Sequence, residues 1–176
     1  MIVAVLLTTV LLALSMGLVI VANVESAIGA NFKRGMEAQQ AADAGIVIAV
    51  GQLASADWSG ILAGVEPPCA FERALVVTPT AFYPTGLWGP NSPVWRLYAC
   101  LQPPAVLTPH APRPPTVAIW LADDASEADD DPILDTNRRL TLRAEAFGPA
   151  GSHAAVEATV AQAGPEVRIL SWRVLR

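Results

Sequence analysis

Residues 1–24 read MIVAVLLTTVLLALSMGLVIVANV and residues 25–54 continue ESAIGANFKRGMEAQQAADAGIVIAVGQLA, a stretch of 54 residues without a proline. The first part carries no charged residue, and its apolar run to Ala22 is broken only by Thr8, Thr9, Ser15 and Gly17. About 20 such residues in a helix cross the ~30 Å hydrocarbon core of a bilayer, so 1–24 is a transmembrane candidate. A cleaved secretory signal starts with a basic segment and ends in a small-x-small site. Here no Lys or Arg precedes the run, and Asn23-Val24-Glu25 offers no such site. A buried helix of a soluble protein rarely stays uncharged for so long.

The helical grammar continues past the span. Residues 25–54 are rich in Ala, Glu and Gln, and Ile28, Phe32, Met36, Gln39, Asp43 and Ile46 follow one side of a helix. Ile46, Ala49 and Leu53 then resume a clean apolar stripe. Glycines at 29, 35, 45 and 51 each cost about 1 kcal/mol relative to alanine in water. Small residues are favoured where helices approach closely, which marks Gly17, inside the span, and Gly29, just beyond it, as candidate packing points. One helix over 2–54 would be about 80 Å long. That exceeds one bilayer, so its second half must be covered by a domain or by other helices.

From Glu66 the composition changes. Twelve of the 15 prolines lie between Pro67 and Pro115, which excludes helix there and leaves only short or edge strands. Candidate strands are Phe71–Thr78, Val94–Leu101 and Thr116–Leu121. Farther on, Leu140, Leu142, Ala144 and Ala146 alternate with Arg139, Thr141, Arg143 and Glu145, the period of a half-buried strand. Gly148-Pro149-Ala150-Gly151 and Gly164-Pro165 separate it from alternating segments at 155–161 and 167–175, which predicts an antiparallel meander. The fold class is α+β, one long N-terminal helix whose second half packs on a C-terminal antiparallel sheet. Its parts are a membrane segment at 1–24, a helical continuation at 25–54 and a proline-rich β domain at 55–176.

Composition narrows the function. The chain holds 53% hydrophobic and 15% charged residues with a net charge of −5, which disfavours disorder and a nucleic-acid partner. Two cysteines and two separated histidines, His110 and His153, cannot supply a four-ligand zinc centre. Ser152-His153 and Cys69 lack a partner at a recognisable catalytic spacing, and no glycine-rich phosphate loop is present, so the expectation is a non-enzyme.

An uncharged apolar span, a polar helical continuation and Gln40-Ala41-Ala42-Asp43-Ala44-Gly45-Ile46 resemble the N-terminal region of PilX-type minor pilins of type IV pilus systems. The closing Val167-Arg168-Ile169-Leu170-Ser171-Trp172-Arg173 resembles the C-terminal strand of related pilin-like proteins. The resemblance implies a pilin-like fold and a structural subunit acting in pilus biogenesis, initiation or adhesion, with other pilin subunits and the membrane as partners. It places the helix in the inner membrane, the domain in the periplasm and the assembled protein on the surface. Major pilins carry a glutamate at the fifth mature position, where this numbering has Val5, so no processing residue carries over. A pseudopilin of a type II secretion system and a membrane-anchored periplasmic binding module are the alternatives.

Lys33 and Arg34 after the span favour a cytoplasmic C-terminal side by the positive-inside rule, offset by Glu25 and Glu37. Cys69 and Cys100 bracket the proline-rich region. They are either free thiols in a reducing compartment or a disulfide formed in the periplasm, and the pilin-like topology fits the disulfide. Between Asp123 and Asp135 lie seven of the 16 acids, with no base among them. The run is either a solvated loop loosely paired with Arg138 and Arg139, or an oxygen-rich Ca²⁺ loop. For the latter the expected ligands are Asp123, Asp129, Asp131, Asp135 and the Asn137 amide. No other cofactor is expected. The tryptophans at 58, 88, 95, 120 and 172 are either core anchors or the lining of a ligand groove.

Overall fold

The computed structural model describes residues 1–65, 69, 94–101, 114–127 and 131–175. The expected strand Phe71–Thr78 and Trp88 lie outside the described residues. Helix α1 runs unbroken over Ile2–Leu53, 52 residues with no proline to interrupt its hydrogen-bond ladder. Its last turn is closed by a side chain, because the Trp58 indole N–H donates to the Leu53 carbonyl at 3.0 Å. That bond satisfies one of the carbonyls a helix end leaves free. A short helix α2, Trp58–Ala63, follows and buries Trp58 and Leu62.

Five strands form one antiparallel sheet in chain order: β1 Arg96–Leu101, β2 Thr116–Asp123, β3 Arg139–Phe147, β4 His153–Ala163 and β5 Glu166–Leu175. Alternation at 139–146, 155–161 and 167–175 thus becomes β3 to β5, as the period of two requires. The β4–β5 hairpin turns on Gly164-Pro165, with Ala163 paired to Glu166. Gly164 has φ 66°, a backbone region that glycine enters without steric cost, and Pro165 follows with its fixed φ. The register skips Tyr98 on β1 and, opposite Thr159 and Val160, skips Leu170 on β5, so each of these two edge strands carries a bulge.

The helix docks on β2, β3 and β4 through Ala38, Ala41, Ala42, Gly45, Ile46, Ala49 and Leu53, all buried. These residues recur at three- and four-residue spacing, one stripe of a helix. Facing them are Val117, Ile119 and Leu121 of β2, Leu140, Leu142 and Ala144 of β3, and Val156, Ala158 and Val160 of β4. Gly45 is the point of closest approach. A Cβ there would lie 2.8 Å from Val117 Cγ1 and 3.4 Å from Ala144 Cβ. The Ala-Ala-Asp-Ala-Gly segment is therefore a helix-to-sheet docking strip, its small side chains letting the backbone sit close to branched strand residues.

Two expectations need correction. Ile28, Phe32 and Met36 do not join the buried stripe, and no residue before Ala38 is buried. The sheet reaches only the last third of α1. Likewise Thr141, Arg143 and Glu145, read as the wet face of β3, are buried. On that second face Trp95, Ala118, Trp120 and Ala122 form a smaller apolar cluster flanked by Leu97 and Phe147. Cross-strand register aligns Trp120, Arg143, Glu157 and Arg173 in one row over β2 to β5. The buried charges of this row are paired: Arg143 with Glu145, and Glu157 with the exposed Arg173.

Overpacking at the docking strip should therefore be costly. Gly45→Leu is expected to lower the unfolding free energy of the full chain in detergent micelles by about 1–3 kcal/mol. Gly51→Leu, with nothing within 4 Å of its Cβ position, should leave stability unchanged or raise it slightly. Equal effects of the two substitutions in thermal unfolding would contradict close docking at Gly45.

Candidate functional site

Three features merit attention as sites: the bare part of α1, the cysteine bridge and the loop between β2 and β3. The first is apolar and exposed. An 18-residue window of α1 has a mean hydropathy of 2.6 and none of it is buried by the rest of the chain, so α1 is long and apolar enough to cross a membrane. Gly17 and Gly29, expected as packing points, meet nothing within 4 Å. Neither serves packing within this chain. The buried glycine is Gly45, which helical spacing with Ala38, Ala41 and Ala42 could have identified.

Cys69 and Cys100 are bonded to each other, joining residue 69 to β1 across a separation of 31 residues with Cα atoms 5.6 Å apart. Trp58, Trp95 and Trp120 are buried anchors, whereas Trp172 on β5 is 39% exposed. A cleft of about 300 Å³ opens between α2 and β1, lined by Ile61, Val65, Leu97 and Tyr98 among others. Its charged side chain, Arg96, is engaged by the Gly64 carbonyl through Nη1 at 3.0 Å. Burial pushes the Tyr98 phenol above its ordinary pKa.

The acid run is ordered by its own hydrogen bonds. β2 ends at Asp123, whose Oδ1 accepts the Asp124 N–H at 2.9 Å. Asp124 Oδ2 accepts from the Ser126 N–H at 3.3 Å and from the Ser126 hydroxyl, while its Oδ1 accepts from Asn137 Nδ2 at 2.6 Å. Glu127 Oε1 accepts from Thr136 N at 2.7 Å, from Thr136 Oγ1 at 2.6 Å and from Asn137 N. These bonds tie the end of β2 to the residues entering β3. Arg138 completes the return in a left-handed conformation, φ 59°, with its carbonyl accepting from Gln162 N at 2.9 Å.

Of the expected calcium ligands, only Asp123 belongs to the group of three carboxylates the fold gathers, Asp123, Asp124 and Glu127. Asn137 touches the group as a donor to Asp124. Asp131 accepts from Ile133 N at 3.1 Å and Asp135 from Arg139 N at 3.2 Å. Asp129 lies outside the described residues. Asp124 and Glu127 were missed because their placement depends on where β2 stops and the chain turns.

Burial raises the Asp123 carboxyl from 3.8 to about 8, aided by the facing Glu127 carboxyl and opposed by the Asp124 N–H. Asp135 is also raised, first by burial, with the Arg138 and Arg139 N–H groups acting the other way. Asp43 is raised by burial against a hydrogen bond from Gln39.

Comparison with protein-family models, with curated proteins and with solved structures finds no match. The geometry alone must carry the functional reading.

The Asp123 shift has a pH signature. Its folded pKa exceeds its unfolded one, so the stability it contributes is present below about 4 and lost as pH climbs to about 8. In excess chelator, the melting temperature of the full chain in micelles should fall over that window. Asp123→Asn should reduce the fall by about 5 °C. Parallel pH profiles for the two proteins would refute the shifted carboxyl.

Proposed function

We propose that the protein is a non-catalytic, membrane-anchored subunit of a pilin-like helical assembly, a minor component of a type IV pilus or a related pseudopilus. The observation that carries this reading is the bare length of α1. Residues 2–37 hold no buried position and extend about 54 Å. The hydrocarbon core accounts for only ~30 Å of that. Beyond the uncharged span Ile28, Phe32 and Met36 are 63%, 71% and 45% exposed. Apolar side chains at that spacing are stable in an aqueous compartment when another helix covers them. A filament core of packed N-terminal helices covers them, and a lone membrane-anchored binding module does not.

The remaining features support the same arrangement. A disulfide between Cys69 and Cys100 suits an oxidising compartment and so supports a β domain in the periplasm or at the cell surface. The docking strip at 38–53 holds the sheet against the end of the helix and leaves the rest available. In this reading the helix waits in the inner membrane and then enters a bundle of like helices. Gly17 and Gly29 set the backbone approach between subunits. The sheet domain stays outside the bundle, where it acts on initiation, length or adhesion.

Gly17→Leu tests the reading, because Gly17 touches nothing within its own chain and leucine raises both helix propensity and apolarity. The variant should remain in the membrane fraction with its disulfide intact, while its recovery in sheared surface filaments falls about tenfold, the effect of ~1.4 kcal/mol of lost packing. Wild-type recovery of the variant would refute close packing at Gly17. Absence of the unmodified protein from filaments, in cells that make them, would favour the binding module.

A further inference from the structure

The group formed by Asp123, Asp124 and Glu127 has a composition that hydrogen bonding alone does not balance. One carboxylate oxygen of each lies within 4.8 Å of the others, and the three residues are 2%, 5% and 8% exposed. Ser126, Thr136 and Asn137 orient Asp124 and Glu127 from outside. Asp123 differs. Its Oδ1 is engaged by the Asp124 N–H, but its Oδ2 is buried and accepts no hydrogen bond among the described residues. The carboxyl it faces, Glu127, is also an acceptor when ionised, so the two meet only by sharing a proton or a cation. Among the described residues neither Asp123 nor Asp124 forms an ion pair with a lysine or arginine. Buried carboxylates gathered in this way are relieved either by a proton shared between Asp123 and Glu127 or by a cation that displaces it.

We propose that Asp123, Asp124 and Glu127 bind a divalent cation, and that the ion is Ca²⁺. The donor set is entirely oxygen, which suits a hard cation and offers none of the nitrogen or sulfur that zinc prefers. Mg²⁺ sheds water reluctantly and demands near-octahedral geometry, whereas Ca²⁺ accepts irregular oxygen cages with six to eight ligands. A group this deeply buried favours the ion that exchanges its water for protein oxygens. The site sits where β2 ends, and the hydrogen bonds of Thr136 and Asn137 to Glu127 and Asp124 link it to the residues that enter β3. This inference does not depend on filament assembly.

The test uses the full chain in detergent micelles, stripped with EDTA and dialysed, then titrated with CaCl₂ and MgCl₂ by calorimetry and thermal unfolding. Calcium should bind one site with a Kd of about 10⁻⁴–10⁻³ M, the range of extracellular modules, and raise the melting temperature. Magnesium should bind at least about tenfold more weakly. Asp123→Asn keeps the fold, checked by far-UV circular dichroism, and should lose at least about tenfold in calcium affinity. Asp131→Asn, outside the three-carboxylate group, should stay within about threefold of the parent protein. No saturable calcium binding by the parent protein would overturn the site. Equal losses in the two variants would assign the effect to diffuse screening of the acid run and also overturn it. Magnesium binding as tight as calcium would overturn the choice of ion.

Discussion

The contact between Gly45 and Val117 sets the rest of the architecture. With a Cβ excluded at 2.8 Å, the helix backbone can lie close enough to the sheet for Ile46, Ala49 and Leu53 to enter the core. That contact determines which turn of α1 meets β2, and so how much helix protrudes beyond the sheet. No residue before Ala38 is buried by this chain. The same short strip that builds the domain therefore creates the exposed helix on which the functional reading rests.

The sheet tolerates this one-sided demand because its centre is shielded on both faces. Strand β3 sends Leu140, Leu142 and Ala144 toward α1, and Thr141, Arg143 and Glu145 to the opposite side. Arg143 is buried with its partner Glu145, and on β4 the buried Glu157 is paired with Arg173, whose own side chain is exposed. Ion pairs of this kind add less net stability than apolar contacts of similar volume, yet breaking one partner is costly. The Arg173–Glu157 pair crosses from β5 to β4 and favours their register, where a one-residue slip would exchange the two faces. The edge strand β5 is left largely exposed, with Trp172 and Val174 among its surface residues.

Much of this was legible in the amino-acid order. The proline-free 54 residues predicted α1, whose end at Leu53 falls within one residue of the expectation, and alternation predicted the three-strand meander of β3 to β5. The Cys69–Cys100 bridge was one of two open readings, and spacing alone did not decide between them. Periodicity could not tell Ile28, Phe32 and Met36 from the buried stripe, since a helix keeps its pattern whether or not a partner covers it. It also could not show that Arg143 and Glu145 are buried, because polar alternation looks the same under water and under tryptophan. Among the acids, sequence spacing selected side chains scattered over 13 positions. The fold instead gathers Asp123 and Asp124, adjacent where the strand ends, with Glu127 one turn later.

The central claim is that α1 beyond the membrane is covered by another helix. Phe32 is its most direct reporter, being 71% exposed and outside the uncharged span. A photo-crosslinking amino acid placed at position 32 in living cells reads what lies against it. The account predicts covalent adducts with the N-terminal helix of another pilin-like subunit or a second copy of this chain, mapped by mass spectrometry. Adducts with lipid alone, or none at all, in cells that assemble filaments would contradict it.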